Sequence, residues 1–483
     1  MRLMLVTTVF ARTRSRSGVV SSRLGGLRAK SNQQVRAGLL RGKDGGLFDT
    51  LTYMYDFNHM RLLVGRNSTL AAFSTGLFAT LGAGVAGAQG VDSDAQAVGG
   101  MRPSVALETL VLQGSHFVAA LEGGGLAQLT LNPVLQKSVD DALASHHLPF
   151  AAAAVISIPD GRVLALSGYS KADPSLDTAA LALRPWAPAA SVFKVVAASA
   201  LLQEGHVDPE TRICYHGGVS SVLRDNLVDM PAIDRSCASL AYGIGKSQNA
   251  IIAKLASRNL RPEQLERIAT AFGFGEEIEF DAPVEPSEID VPREPLEFAR
   301  AAAGFWHSSL SALHGALLAA TIANRGEMPA AHIIARAVDA KGNALRLQPR
   351  PSHRVLDPAV AAQVGHMMQL TTSMGTARRS FRDRKGNPTL PVEVAGKTGT
   401  LFYRGRPSDP SLPGGASLPS GEQIGYSWFI GYAPVEKPTI AFAILLGNPA
   451  AWQLRAHVVA RQVVAEYLAE QNSTRHGRLL ARR

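Results

Sequence analysis

The apolar positions of the chain fall into short runs of β character and longer runs of helical spacing. Residues 152–158 (Ala-Ala-Ala-Val-Ile-Ser-Ile) are short and end β-branched, which predicts a strand. A turn at Pro159-Asp160-Gly161 leads into Arg162-Val163-Leu164-Ala165-Leu166-Ser167, and two such runs about an Asp-Gly predict a hairpin, the first two strands of an antiparallel sheet. Residues 392–402, 426–432 and 439–446 predict three more strands. In the first of these, Gly396 and Gly399 weaken the strand but leave room for another backbone, such as a substrate peptide laid antiparallel along an edge. Helical spacing predicts helices over 132–145, 262–274, 305–323, 358–372 and 452–468, and over 239–257 with an interruption near Gly243-Ile244-Gly245. Asn324-Arg325-Gly326 and Gly375-Thr376-Ala377 read as helix stops. Residues 169–188, 214–234, 276–297 and 403–423 read as loops.

One run departs from amphipathic spacing. After Pro188-Ala189-Ala190-Ser191-Val192-Phe193-Lys194 the chain is apolar through Leu202, carries no charge between Lys194 and Glu204, and closes at Gly205. It reads as a helix buried on most sides, at the centre of a core. Its first turn holds a hydroxyl and an amine three residues apart, on one face and within mutual reach. An amine whose pKa is lowered by burial can take the proton of an attacking hydroxyl. Taken alone, Ser191-x-x-Lys194 is far more often a capping serine and a surface lysine, because the spacing recurs by chance.

Two further elements change that balance: Ser247-Gln248-Asn249, and Lys397-Thr398-Gly399-Thr400. In this order the three form the motif set of serine penicillin-binding enzymes. Over residues 126–470 the chain resembles the transpeptidase domain of penicillin-binding proteins; residues 129–136 look like its entry segment, and 426–434 like the strand behind the Lys-Thr-Gly strand. The resemblance implies an α+β fold, an antiparallel sheet flanked by helices plus a helical lobe, with the active site where they meet. It also implies that Ser191 is acylated, that Lys194 is its general base and that Ser247 relays the proton to the leaving amine. Asn249 would hold the amide of the substrate's side chain, and Lys397, Thr398, Gly399 and Thr400 its terminal carboxylate. The oxyanion would lie between the backbone N–H groups of Ser191 and Thr400. No cofactor is implied. Ala189-Ala190 departs from the Pro-Gly usual before the nucleophile.

The substrate implied is a peptidoglycan stem peptide ending in D-Ala-D-Ala, with β-lactam antibiotics as mimics. Transfer to an amine (transpeptidase) and transfer to water (D,D-carboxypeptidase or class D-like β-lactamase) are both open at this stage. A further alternative is a β-lactam-binding sensor or divisome scaffold without turnover. No fused signalling domain favours that reading, and an acceptor-strand assay separates all of them.

Of the formal charge of +10, residues 1–59, 60–88 and 471–483 carry +7, +2 and +4, which leaves −3 for 89–470. The folded body therefore gives no electrostatic reason to expect a nucleic-acid partner. Residues 1–59 read as disordered or as an over-extended gene start. Residues 60–88 read as a signal peptide, with Arg61 and Arg66 before an uncharged stretch and Ala86-Gly87-Ala88 before Gln89, or as a retained anchor that would associate the protein with the membrane. Either places the body in the periplasm or on the outer face of the cytoplasmic membrane. Residues 89–125 read as a linker too short for a pedestal or glycosyltransferase domain, 126–470 as a stand-alone catalytic domain, and 471–483 as a basic tail. His307 and His314 have no companions at metal-ligand spacing, so they read as packing or surface residues. Cys214 and Cys237 are the only cysteines, and in an oxidising compartment they would close a loop worth on the order of 3 kcal/mol; two free thiols are the alternative.

Overall fold

The computed structural model describes residues 102–204, 207–404, 423–449 and 454–480. The expectations for 1–59 and 60–88, most of the loop at 403–423, and the ends of the expected linker and tail lie outside these residues.

A five-stranded antiparallel sheet runs through the molecule in the order Ala395–Arg404, Gln423–Ala433, Ile440–Asn448, Phe150–Ser157, Val163–Ser170. The last two strands are the Asp-Gly hairpin, and the first three are the strands expected downstream. Successive side chains enter different cores. Ala152, Ala154, Ile156, Trp428 and Ile430 join a core that includes helix Ala312–Ala323. Ala151, Ala153, Val155, Phe429 and Phe442 join one formed with helices Pro133–Ala144 and Ala456–Leu480. Burial on both faces is why these strands read as continuous apolar runs rather than as alternation.

The helical lobe is built around Lys194–Gln203, in which every residue from Lys194 to Leu202 is buried. Helices Leu240–Gly245, Asn249–Asn259, Pro262–Ala271 and Pro358–Ser373 pack against it. Ser191 itself lies in a 3-10 turn, Ala190–Phe193, that precedes the α-helix.

Several local expectations are corrected. From residue 105 onward the expected linker is structure: Val105–Gln113 and His116–Leu121 form a four-stranded antiparallel sheet with Leu126–Leu129 and Ile334–Val338. Val105, Leu107, Val118 and Leu121 are buried there, and one partner strand is some two hundred residues away in sequence, beyond any local pattern. Within the expected loop at 276–297 a helix begins, Pro295–Ala302. The proline there occupies the first helical turn and the Glu294 carboxylate accepts from the Glu297 N–H, so the acidic, proline-rich composition was a helix start. Asp177 likewise caps the helix Thr178–Leu183. The helix expected from 305 begins only at Ala312, where the Ser311 hydroxyl accepts from the His314 N–H, because Ser309–Leu310 pairs with Ala187–Pro188. The last helix continues through the expected tail to Leu480. His314 is fully buried with Nε2 2.7 Å from Phe272 O, and burial pushes its pKa down to about 4. His307 faces Glu297 and Asp290 at the lobe surface.

Gly396 and Gly399 make room within the protein rather than for a substrate. A Cβ on Gly396 would lie 2.4 Å from Phe429 Cζ and 2.6 Å from Ile430 O, both on the neighbouring strand. A Cβ on Gly399 would lie 2.9 Å from Trp428 Cβ and 3.2 Å from Val192 Cγ2 on the nucleophile turn. Gly396→Ala is therefore expected to cost roughly 1–3 kcal/mol, since backbone must shift to admit the methyl group. Gly447→Ala, whose Cβ would meet nothing closer than 3.4 Å, is expected to change stability by less than about 1 kcal/mol. Urea midpoints of the two variants against wild type check the contrast.

Candidate active site

Four segments converge beside the edge strand Ala395–Arg404. The nucleophile turn approaches it through Ala189 and Val192, which meet Gly399, and the Trp428 indole N–H donates to Pro188 O at 2.9 Å from the next strand. The junction between helices Leu240–Gly245 and Asn249–Asn259 brings Ser247, held at φ +56° between the two axes. The turn after helix Pro295–Ala302 brings the Ala303 carbonyl, and the turn after Pro358–Ser373 brings Thr376.

At the centre is Lys194, without solvent exposure. Its Nζ lies 2.6 Å from each of three oxygens: Ser191 Oγ, Asn249 Oδ1 and Ala303 O. Desolvation, and after it the charge of Lys397, hold its pKa well below the ordinary lysine value. A neutral amine has two N–H donors and one lone pair. The Ala303 carbonyl can only accept. Asn249 also presents an acceptor, because the other end of its amide donates from Nδ2 to Val219 O at 2.9 Å. Both N–H bonds are thereby committed, and the lone pair is left for the Ser191 hydroxyl. This is the orientation that an amine needs to take a proton from that hydroxyl.

A second amine lies alongside. Lys397, also without solvent exposure, donates from Nζ to Ser247 Oγ and to Thr398 O, each at 2.8 Å. Burial lowers its pKa to about 7. The Thr398 hydroxyl shares a 2.6 Å hydrogen bond with that of Thr376, and the Thr376 N–H donates to Gly245 O at 3.1 Å. Thr400 is exposed at the far end of the motif, on the open side of the sheet.

The turn at Ala190 is left-handed, φ +50°, a conformation that a side chain makes costly by roughly 1–2 kcal/mol. This is the position at which the resemblance expected glycine. The turn is held from outside. Gly304 packs so closely that a Cβ on it would lie 2.2 Å from Ala190 O and 3.1 Å from Ser191 Cα.

All the catalytic and carboxylate-binding residues expected from sequence, from Ser191 to Thr400, are on these converging segments. Sequence reasoning missed the carbonyls of Ala303 and Val219, which any residue type supplies, and Thr376, which registered only as part of a helix stop. Cys214 and Cys237 are bridged, at facing positions of strands Arg212–Tyr215 and Ser236–Ser239.

A lysine whose folded pKa lies below its unfolded value binds fewer protons folded than unfolded between the two values, so stability rises with pH across that window. For Lys397 the window runs from about 7 to the ordinary lysine value of 10.5. Unfolding free energy is expected to increase with pH there, by at most about 1.4 kcal/mol per pH unit for each lysine involved. Lys397→Met should flatten the slope. Urea titrations of both proteins at several alkaline pH values provide the measurement.

The family model of the penicillin binding protein transpeptidase domain matches residues 151–468. Among similar proteins, stage V sporulation protein D of Bacillus subtilis is 23% identical over 329 residues, which cover 65% of this chain and 48% of that protein. The peptidoglycan D,D-transpeptidase PbpA of Mycobacterium tuberculosis is 26% identical over 367 residues, covering 68% of each. The chain therefore spans about half the length of the first relative and two thirds of the second. Among solved structures, penicillin-binding protein A of Mycobacterium tuberculosis superimposes with a TM-score of 0.56 at 22% identity, covering 71% of this chain and 81% of that one. The D,D-transpeptidase domain of a peptidoglycan glycosyltransferase from Eggerthella lenta gives 0.57 at 22%, covering 76% and 91%. These likenesses carry the fold, and the family match carries the membership: the chain belongs to the penicillin-binding protein transpeptidase family.

Proposed function

We propose that the protein is a serine D,D-transpeptidase that works on peptidoglycan stem peptides ending in D-Ala-D-Ala through an acyl-enzyme at Ser191. The observation that carries this is the commitment of both Lys194 N–H bonds to pure acceptors, which leaves its lone pair to the Ser191 hydroxyl. As Ser191 Oγ attacks the penultimate carbonyl, its proton passes to Lys194 and negative charge grows on the carbonyl oxygen, beside the Ser191 and Thr400 N–H groups. Collapse expels D-alanine, whose amine takes a proton by way of Ser247, the hydroxyl bonded to Lys397. Lys397 engages two oxygens among the described residues, and its third N–H, with the hydroxyls of Thr398, Thr376 and Thr400, suits a terminal carboxylate. The open edge of strand Ala395–Arg404 supports a peptide bound in extended form. An amine from a second stem then accepts the acyl group.

The acylation step requires Lys194 neutral, and carboxylate binding favours Lys397 charged. The second-order rate constant for acylation should therefore rise with pH on the Lys194 limb and fall above about 7 on the Lys397 limb. The substrate acts outside the cytoplasm, which agrees with residues 60–88 as an export signal or anchor; the family's β-lactam complexes, such as ampicillin-bound penicillin-binding protein 3 of Mycobacterium tuberculosis, support β-lactams as ligands. Among the described residues no helix is long and apolar enough to cross a membrane.

The rival outcome is rapid hydrolysis through a carbamate on Lys194. A carbamate has one N–H and adds negative oxygens, whereas the amine here faces two carbonyl-type acceptors, Asn249 Oδ1 and Ala303 O, each 2.6 Å away. A fluorescent penicillin is therefore expected to label Ser191, to persist for many minutes, and to turn over no faster with added bicarbonate. Lys194→Ala should slow labelling by about 10²–10⁴-fold. Mass spectrometry of the adduct, with an acceptor-strand assay, checks these outcomes. Labelling of Ser191→Ala at another residue, or fast bicarbonate-dependent hydrolysis of a chromogenic cephalosporin, would overturn the assignment.

A further inference from the structure

Apart from the catalytic groups, the segment from Cys214 to Cys237 has its own set of buried polar contacts. The disulfide ties its two ends, with the Cα atoms 3.9 Å apart, and between them the regular structure is the 3-10 turn Arg224–Leu227. Helix Asn249–Asn259 gathers this excursion through Lys254, a lysine with no solvent exposure. Its Nζ donates to Cys214 O at 2.8 Å and Asp234 Oδ2 at 2.9 Å, and pairs with Asp229 Oδ1 at 3.1 Å. All three acceptors belong to the excursion. Asp234 also takes hydrogen bonds from His216 and the Met230 N–H, which with Lys254 hold its carboxyl well below the usual carboxylate range. Arg300 donates to Val222 O at 2.9 Å.

This excursion reaches the catalytic groups through the Val219 carbonyl, which accepts from Asn249 Nδ2 although Val219 is 77% exposed. The position of that carbonyl is set by the backbone on either side. Just before it, Gly217 and Gly218 are left-handed, and a Cβ on Gly218 would lie 2.4 Å from Ala250 Cβ and 2.8 Å from Ala250 N. A carboxamide has two ends of nearly the same shape and opposite polarity. With its oxygen toward Lys194 it takes an N–H from the amine and frees the lone pair. With its nitrogen toward Lys194 it would donate to the lone pair and block the base. An acceptor on the far side of Asn249 selects the first arrangement.

Resting on the function proposed above, we propose that the Val219 carbonyl, held in place by the Cys214–Cys237 bridge and Lys254, is a positioning group that fixes the polarity of the Asn249 amide and so keeps the Lys194 lone pair on Ser191. The base is then under redox control. A dithiol reductant opens the bridge by exchange: its two thiols become a disulfide, and Cys214 and Cys237 take up the two electrons and two protons as thiols.

The pH profile separates amide reversal from simple loosening. The charged neighbour acting on Lys194 is Lys397; Ser191, Asn249 and the Ala303 carbonyl are neutral. A reversed amide donates to the neutral amine and repels the ammonium, so the rising limb moves to lower pH while the plateau falls. Water entering a loosened site would move that limb to higher pH.

The experiment measures acylation by a fluorescent penicillin against pH for the oxidised protein, the dithiol-reduced protein and Gly218→Ala with the bridge intact, with thermal unfolding followed in parallel. Reduced protein and Gly218→Ala are expected to lose about tenfold or more of the plateau rate, a change of about 1.4 kcal/mol in the barrier. Their rising limbs should shift to lower pH, and reoxidation should restore the first. Should reduction unfold the protein, Gly218→Ala decides. An unchanged plateau, or a limb displaced to higher pH, overturns the proposal and leaves Ser191 as the nucleophile. Absence of Ser191 labelling in the oxidised wild type overturns the function itself, and this proposal with it.

Discussion

Two lysines, Lys194 and Lys397, are buried side by side, and their hydrogen-bond partners among the described residues are hydroxyls, carbonyls and an amide oxygen rather than carboxylates. The rest of the site follows from that constraint. Burial disfavours an ammonium at each position, and the charge of Lys397 adds to that at Lys194, so the amines are driven toward their neutral forms. Neutrality leaves Lys194 a lone pair, and the geometry of its acceptors gives that lone pair a direction. Lys254 shows the contrast within the same fold: equally buried, it is paired with Asp234 and Asp229, and it serves structure.

Such a site needs a frame that does not relax around the uncompensated groups. The five-stranded sheet supplies it, with side chains from both faces locked into separate cores. The nucleophile turn is clamped between Gly399 of that sheet, in tight contact, and Gly304 of the lobe, close enough to exclude a methyl group. The left-handed Ala190 is held within this clamp, as expected where surrounding structure over-determines a costly backbone.

The centre of the fold was legible in the sequence and its periphery was not. The hairpin at Asp160-Gly161, the unbroken apolar run after Lys194 and the spacing of the three motifs are local signals: the first gives the far strands of the central sheet, and the other two mark the site. The strands Val105–Gln113 and His116–Leu121 were hidden because Ile334–Val338, which completes their sheet, is distant in sequence. Helix Pro295–Ala302 was hidden because proline and acid serve equally at helix starts and in loops. At the site itself, the side chains carried by the motifs could be anticipated, whereas the backbone acceptors and Thr376, which lies outside the motifs, could not. The carbonyls of Ala303 and Val219 take hydrogen bonds from Lys194 and Asn249, yet nothing about an alanine or a valine announces it.

The strand Ala395–Arg404 lies at the edge of its sheet. Proteins commonly guard such an edge with charge, proline or a bulge, because an unpaired row of backbone groups recruits strands from other chains and leads to aggregation. Here Lys397 is turned inward and buried, and Gly396 and Gly399 offer no shielding side chain. The edge proposed above to take an extended peptide is therefore also one with little defence against self-association. A ligand laid along that edge, as proposed above, takes the place where a strand of a second copy would otherwise pair, so occupancy and self-association compete for one row of backbone groups.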